Sequence, residues 1–420
     1  MKRLRQETIL EEMIKAGSAK EDVVKKIAVK IAGFHLRAEQ NSRVASFASP
    51  IALRKNAEDN FAQTEAHIGL TISKKRHDFI RQKTLEFLKA NEPLFLKRMK
   101  DGFIKDCHGD IHCENVSVED NTVRIFDCIE FSERFRLSDT VADIAFLAMD
   151  IDFHNQRGLS ELFTEEYFNS SNDPCAKPLL DFYKCNRAFI RGKVDGLKFL
   201  EPEVSEDEKS DAFLSAVRHF HLAFQYAANS QKPILIIVCG LSATGKTSLA
   251  RRISEVFYAP RLSSDSVRKT LAGIAPNKQS PAQFRQGIYS DDFTEKTYAA
   301  LIKSGAELLK NGRTCVLDAT FSKERYRRLA KETAASCGAD FHVIELIADD
   351  ETIKERLKKR RAEPHSHGAA VSDMTRWDVL IEQKRNFEPL KEARVILDAK
   401  KPLEVNIKTA VQGMLDENLL

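Results

Sequence analysis

The stretch Ile234–Thr247, ILIIVCGLSATGKT, constrains this chain more than any other. The apolar run Ile234 to Val238 reads as a short buried strand. Gly240, Leu241, Ser242, Ala243, Thr244, Gly245, Lys246 and Thr247 then fit GxxxxGK[ST]. From Ser248 the spacing is helical, with Leu249, Ile253 and Val256 on one face. Glycines in such a turn let the backbone curl so that successive N–H groups point at phosphate oxygens, and the helix start adds its positive dipole end. Residues 240–248 are thus the expected phosphate cradle for ATP. Lys246 would reach the β- and γ-phosphates, and the Thr247 hydroxyl would hold Mg²⁺. The alternative is an ordinary glycine turn ahead of a surface helix.

Around this stretch, apolar strands alternate with amphipathic helices. Strands are expected at 234–239, near Arg261-Leu262, at Thr314 to Leu317, at Phe341 to Ile347 and at Arg394 to Leu397. Helices are expected at 246–257, 322–336, 350–361 and near 375–386. Such a series predicts an α/β domain with a parallel sheet covered on both faces. Ligands then sit at the carboxyl ends of its strands. Asp318, in VLDAT, stands at such an end, placed to hold Mg²⁺ or its water, or simply to form the turn. Asp265, in RLSSDSVRK, follows the second strand. It is either a base for an attacking hydroxyl or a helix N-cap. Arg268 lies one helical turn on. Arg356 to Arg361, with Arg360 foremost, precede a Gly/Pro/His-rich loop at 362–372 that reads as a lid. Arginines there would neutralise a phosphoryl group in transfer; the other reading is a solvated basic face. Arg325 and Arg328 carry the same two readings.

GLSATGKT, SSDSVR, VLDAT and the basic segment together resemble the small P-loop kinases of the polynucleotide kinase, zeta-toxin and chloramphenicol-phosphotransferase type, over about residues 233 to 400. The resemblance implies that Asp265 is the catalytic base and that Arg268 touches substrate. It implies a hydroxyl acceptor, a small molecule or a nucleic-acid end, without naming it.

The first half reads differently. Glu21 to Ala38 and Lys75 to Arg98 are expected helices, and 41–60 an expected loop. Short apolar runs between 103 and 131 suggest strands, with Asp120-Asn121 as a tight hairpin turn. Helices return from Asp139 to Phe199. An acidic loop is expected at 204–210, then a helix at 211–230. Gln231-Lys232-Pro233 is the expected joint, giving domains 1–230 and 231–420. Within the first, His108-Gly-Asp110-Ile-His112-Cys-Glu-Asn115 has the logic of a phosphotransfer loop. Asp110 can take a hydroxyl proton, and Asn115 can hold Mg²⁺. Asp127, in IFDCIEF, is a second metal-binding carboxylate.

HGDxHxxN, the later Asp127 and VADIAFLAMD resemble the aminoglycoside phosphotransferase family. That implies a mainly helical domain like the C-lobe of a protein-kinase-like fold, a structural Asp143, and loop-shaping roles for His108 and His112. No strand-rich segment and no GxGxxG is read ahead of His108 in this sequence, so the first lobe of such a kinase is expected to be missing from it. The whole chain resembles bacterial two-domain proteins that join such a domain to a P-loop kinase domain.

A net charge of +4, from 66 basic and 62 acidic residues, gives no bulk argument for nucleic-acid binding. No apolar run approaches the roughly 18 residues of a membrane span, and no secretory leader is read at the start. The scattered cysteines fit free thiols in the cytoplasm; Cys107-His108 and His112-Cys113 match no zinc spacing. The expected function is transfer of the γ-phosphoryl group of Mg-ATP at the P-loop site, with the first domain in substrate recognition or residual activity. The alternative is a nucleotide-gated scaffold whose kinase-like half binds a partner. Oligomeric state is not readable.

Overall fold

The computed structural model describes residues 4–173, 175–275, 287–362, 377–391 and 394–415, with backbone alone at 360–362, 378 and 379. The chain separates into two compact units, Met1–Gln231 with Leu415–Leu420, and Lys232–Met414.

The first unit is mostly helical. Helix Glu21–Arg37 buries Val24, Ile27, Ala28, Ile31 and His35 along one face, as its spacing predicts. Ile144, Leu147 and Ile151 of helix Thr140–Phe153 close that core. Two short antiparallel ladders stand among the helices. β1 (Ile104–Asp106) and β4 (Leu137–Asp139) form one; β2 (Val116–Glu119) and β3 (Thr122–Ile125) form the other. Asp120 and Asn121 make the expected two-residue hairpin turn with φ of 48° and 63°. Both are residue types that tolerate the left-handed region.

Two expected loops are helical. Residues 41–60 fold into Ser42–Ser46 and Pro50–Thr64. Pro50 opens the second helix, where no N–H is needed. The Ser49 hydroxyl caps it, accepting from the Ala52 N–H at 3.3 Å. The acidic stretch 204–210 starts helix Glu206–Ala227 through a capping box of Ser205 and Glu208. Its carboxylates meet the positive end of the helix dipole. The sequence also gave no sign of Arg98. Its fully buried guanidinium makes paired hydrogen bonds to Asp139, at 2.7 Å, and to Asp173, at 2.8 Å.

In the second unit, β5 (Ile234–Cys239), β6 (Arg261–Ser263), β7 (Cys315–Asp318), β8 (Asp340–Ile347) and β9 (Val395–Asp398) form one parallel sheet in the order β6-β7-β5-β8-β9. β5 is central and wholly buried, as its unbroken apolar run requires. Val238 and Ser263 both lie level with Asp318. The phosphate-loop glycine, Asp318 and Asp265 therefore leave three neighbouring strands at one edge. Helix Leu403–Leu415 was not expected from the sequence. The lid-like stretch 363–372 lies outside the described residues.

Candidate active site

Beyond Cys239 the chain turns at Gly240, φ 135°. A Cβ there would stand 2.4 Å from the Leu346 carbonyl oxygen, so the loop can lie this close to β8 only with glycine. Ala243 and Gly245 take φ of 63° and 101°, wrapping the loop before helix Lys246–Val256 begins. The N–H groups of Gly245, Thr247 and Ser248 bond to no other group among the described residues. An open helix start of this kind suits an anion. The Lys246 ammonium donates to the Leu241 carbonyl at 2.6 Å. Arg356, expected on a lid, instead buttresses the loop: it donates to the Thr244 carbonyl and, at 2.7 Å, to the Ala399 carbonyl. The Arg360 side chain lies outside the described residues.

Asp318 ends β7, 4% exposed, and accepts from Arg261 Nη1 at 2.8 Å. Sequence reasoning missed Arg261, because nothing in the pattern pairs the start of β6 with the end of β7. Asp265 lies in the first turn of helix Ser264–Leu271, whose N-cap is Ser263, not Asp265. Its Oδ2 is 3.2 Å from the Nζ of Lys269, whose side chain is 1% exposed. Lys269 was also missed, although its four-residue spacing from Asp265 was a usable signal. Arg268 donates to the Ile288 carbonyl at 2.6 Å and to Thr294 Oγ1 at 3.1 Å, with its guanidinium 5.0 Å from the Tyr289 ring centre. Burial lowers its pKa, and the side chain is engaged by segment 288–294. Arg325 donates to the Tyr326 hydroxyl at 2.9 Å. Arg328, 67% exposed beside Glu332, belongs to a solvated face.

In the first unit, the loop 108–115 is shaped by carboxylates from helix Thr140–Phe153. Asp143 is fully buried. It accepts from the N–H of His108 at 3.1 Å, the N–H of Gly109 at 2.8 Å and His35 Nε2 at 3.1 Å. Burial pushes its carboxyl up, but the His35 bond and charge and the backbone donor outweigh that, leaving it below the usual range. Asp150 accepts from the Cys113 N–H at 2.7 Å. Asn115 Nδ2 donates to the Asp110 carbonyl at 3.1 Å and lies 3.4 Å from its Oδ2, so the expected pair does meet. His108 and His112 shape the loop: His108 Nε2 bonds the Phe126 carbonyl at 3.1 Å, and His112 Nε2 lies 3.6 Å from Asp110 Oδ2. Asp127 is exposed, with φ of 63°. It is bracketed where Phe126 N–H bonds the Asn115 carbonyl and Ile129 N–H bonds the His108 carbonyl, both at 3.1 Å.

The fold and the loop define the second unit as a P-loop nucleotide-binding α/β domain. Residues 235–390 match the family described as "AAA domain". Over 360 residues the chain is 29% identical to uncharacterized proteins of Mycobacterium tuberculosis and Mycobacterium bovis, spanning 86% of this chain and 71% of each relative. A gluconokinase from Sinorhizobium meliloti superposes with a TM-score of 0.32 and 24% identity, over 44% of this chain and 95% of its own. The Mycobacterium tuberculosis APS kinase, solved with AMPPNP and APS, gives a TM-score of 0.32 and 17% identity over 43% and 97%. Among the described residues no helix is long and apolar enough to cross a membrane, and all eight cysteines are free thiols.

Proposed function

We propose that the second unit transfers the γ-phosphoryl group of Mg-ATP to a hydroxyl acceptor, a small molecule or a nucleic-acid end. The carrying observation is that an open phosphate loop, Asp318 and Asp265 stand together at the carboxyl edge of β5, β7 and β6. Lys246 and the N–H groups of the loop hold the phosphates. Thr247 and Asp318 hold Mg²⁺, which spreads the phosphate charge. Asp265, 3.2 Å from the buried Lys269 ammonium, takes the proton of the acceptor hydroxyl. Arg360 steadies the transferring group, and Arg268 sets the wall of the acceptor cleft.

In this reading the P-loop site belongs to 231–420 and a kinase-like site to 1–230, in a cytoplasmic protein. Asp110, with Asn115 and Asp127 as metal ligands, serves substrate recognition or residual transfer. Its likeness to aminoglycoside phosphotransferases rests on the loop motif and on the part Asp143 plays in holding that loop. A second reading, a nucleotide-gated switch, is favoured by one observation: Asp318, Arg268 and Lys246 are each engaged by the protein's own groups.

Incubation with γ-labelled ATP and fractionated metabolites or oligonucleotides separates the two. The enzyme reading expects labelled acceptor from the parent chain and from Asp110→Ala, and none from Lys246→Ala. Tight ATP binding with no acceptor ever labelled favours the switch.

A further inference from the structure

Helix Leu180–Leu200 carries Arg187 and Arg191, four residues apart and hence on one face. Arg187 Nε donates to the Ala142 carbonyl at 3.1 Å, and its guanidinium lies 5.0 Å from the Phe146 ring centre. The His112 ring lies against the same Phe146, 5.5 Å between centres. His112 in turn reaches Asp110 at 3.6 Å. The contacts thus run from Arg187 through Phe146 and His112 to Asp110. Arg191 is near enough to act electrostatically on Asp110, His112 and Asp150.

The two guanidinium groups are short of partners. Arg187 makes that single hydrogen bond, and Arg191 makes none among the described residues. Of the acids whose charge reaches them, Asp110 makes no hydrogen bond to either guanidinium among the described residues, and three others are committed elsewhere. Asp143 is filled by two backbone N–H groups and His35. Asp150 accepts from Cys113 N–H, and Asp195 from Ser215 and His219. Both arginines are only partly exposed. A guanidinium drawn out of water without an anion is costly, and its forked donors match a phosphate group.

We propose that Arg187 and Arg191 form an anion site beside Asp110, which takes the phosphate group of a small phosphorylated molecule. It rests on the reading that the loop 108–115 faces a ligand. A phosphorylated acceptor would then lie with its anionic end on helix Leu180–Leu200 and its hydroxyl towards Asp110.

The test is calorimetric titration of inorganic phosphate into the full chain carrying Lys246→Ala, which silences the phosphate loop. One binding event is expected. Adding Arg191→Gln, which removes no packing contact described for that side chain, should weaken it at least tenfold. Arg187→Lys, which keeps the charge but loses the fork, should weaken it severalfold. Circular dichroism checks that each variant is folded. Phosphate affinity unchanged in both, or no binding at all in the Lys246→Ala chain, overturns the site. Asp110→Asn separates it from the catalytic reading. Phosphate binding kept or tightened on removal of that negative charge supports the placement, whereas a tenfold weaker phosphate affinity removes Asp110 from beside the anion and overturns it.

Discussion

In loop 240–248 the N–H groups of Gly245, Thr247 and Ser248 have no partner among the described residues; in loop 108–115 those of His108, Gly109 and Cys113 are taken by Asp143 and Asp150. The first loop can grip an anion with its main chain. The second turns three of its N–H groups onto carboxylates of its own fold, and those three are closed to an anion. That difference favours the second unit as the seat of the triphosphate in the proposed reading. In the proposed reading the first unit would recognise a ligand through Asp110, Asn115 and its arginines.

Lys246→Ala cuts deepest into this contrast. It should abolish nucleotide binding and transfer while leaving the fold intact, measured by fluorescent-nucleotide titration and labelled-ATP assay. Asp265→Asn comes next: transfer should fall by about 10²- to 10⁴-fold, the usual range for a general base, with ATP affinity held within twofold. Single-turnover kinetics would show this split, and an unchanged rate would remove Asp265 from the chemistry.

Asp143→Asn tests the other loop. Breaking a buried hydrogen-bonded charge costs about 3 kcal/mol, so the first unit should unfold earlier in urea while nucleotide binding survives. The acid dependence has a definite sign. The folded Asp143 carboxyl lies below its ordinary value. Its contribution is therefore full above about pH 4, the unfolded value, and is lost as pH falls through the folded one. Asp143→Asn should flatten that acid limb. The smallest effect expected is from Arg261→Ala. Freeing Asp318 from its 2.8 Å partner should tighten Mg²⁺ severalfold, read from the Mg²⁺ dependence of nucleotide binding.

The same contrast decides what was legible in the sequence. A main-chain cradle needs glycine at fixed spacing, and Gly240 and Gly245 announce it within eight residues. The βα series around it reads from apolar runs, down to β6. A side-chain cradle is assembled from afar. His35, Asp143 and Tyr167 meet across more than a hundred residues of chain, and no local pattern links them. Arg261 with Asp318, and Arg98 with Asp139 and Asp173, were invisible for the same reason. The helix at 50–64 was misread because Pro50 signals a break and a helix start alike. The capped acidic turn at 206–208 was misread because carboxylates suit both a loop and a dipole end.

One binding experiment bears on the division of labour most directly: titration of a fluorescent ATP analogue with Mg²⁺ into the parent chain, Lys246→Ala and Asp110→Ala. Binding that is lost in Lys246→Ala and kept in Asp110→Ala is the predicted result. Binding that survives Lys246→Ala and vanishes in Asp110→Ala would place the nucleotide in the helical unit and contradict the account.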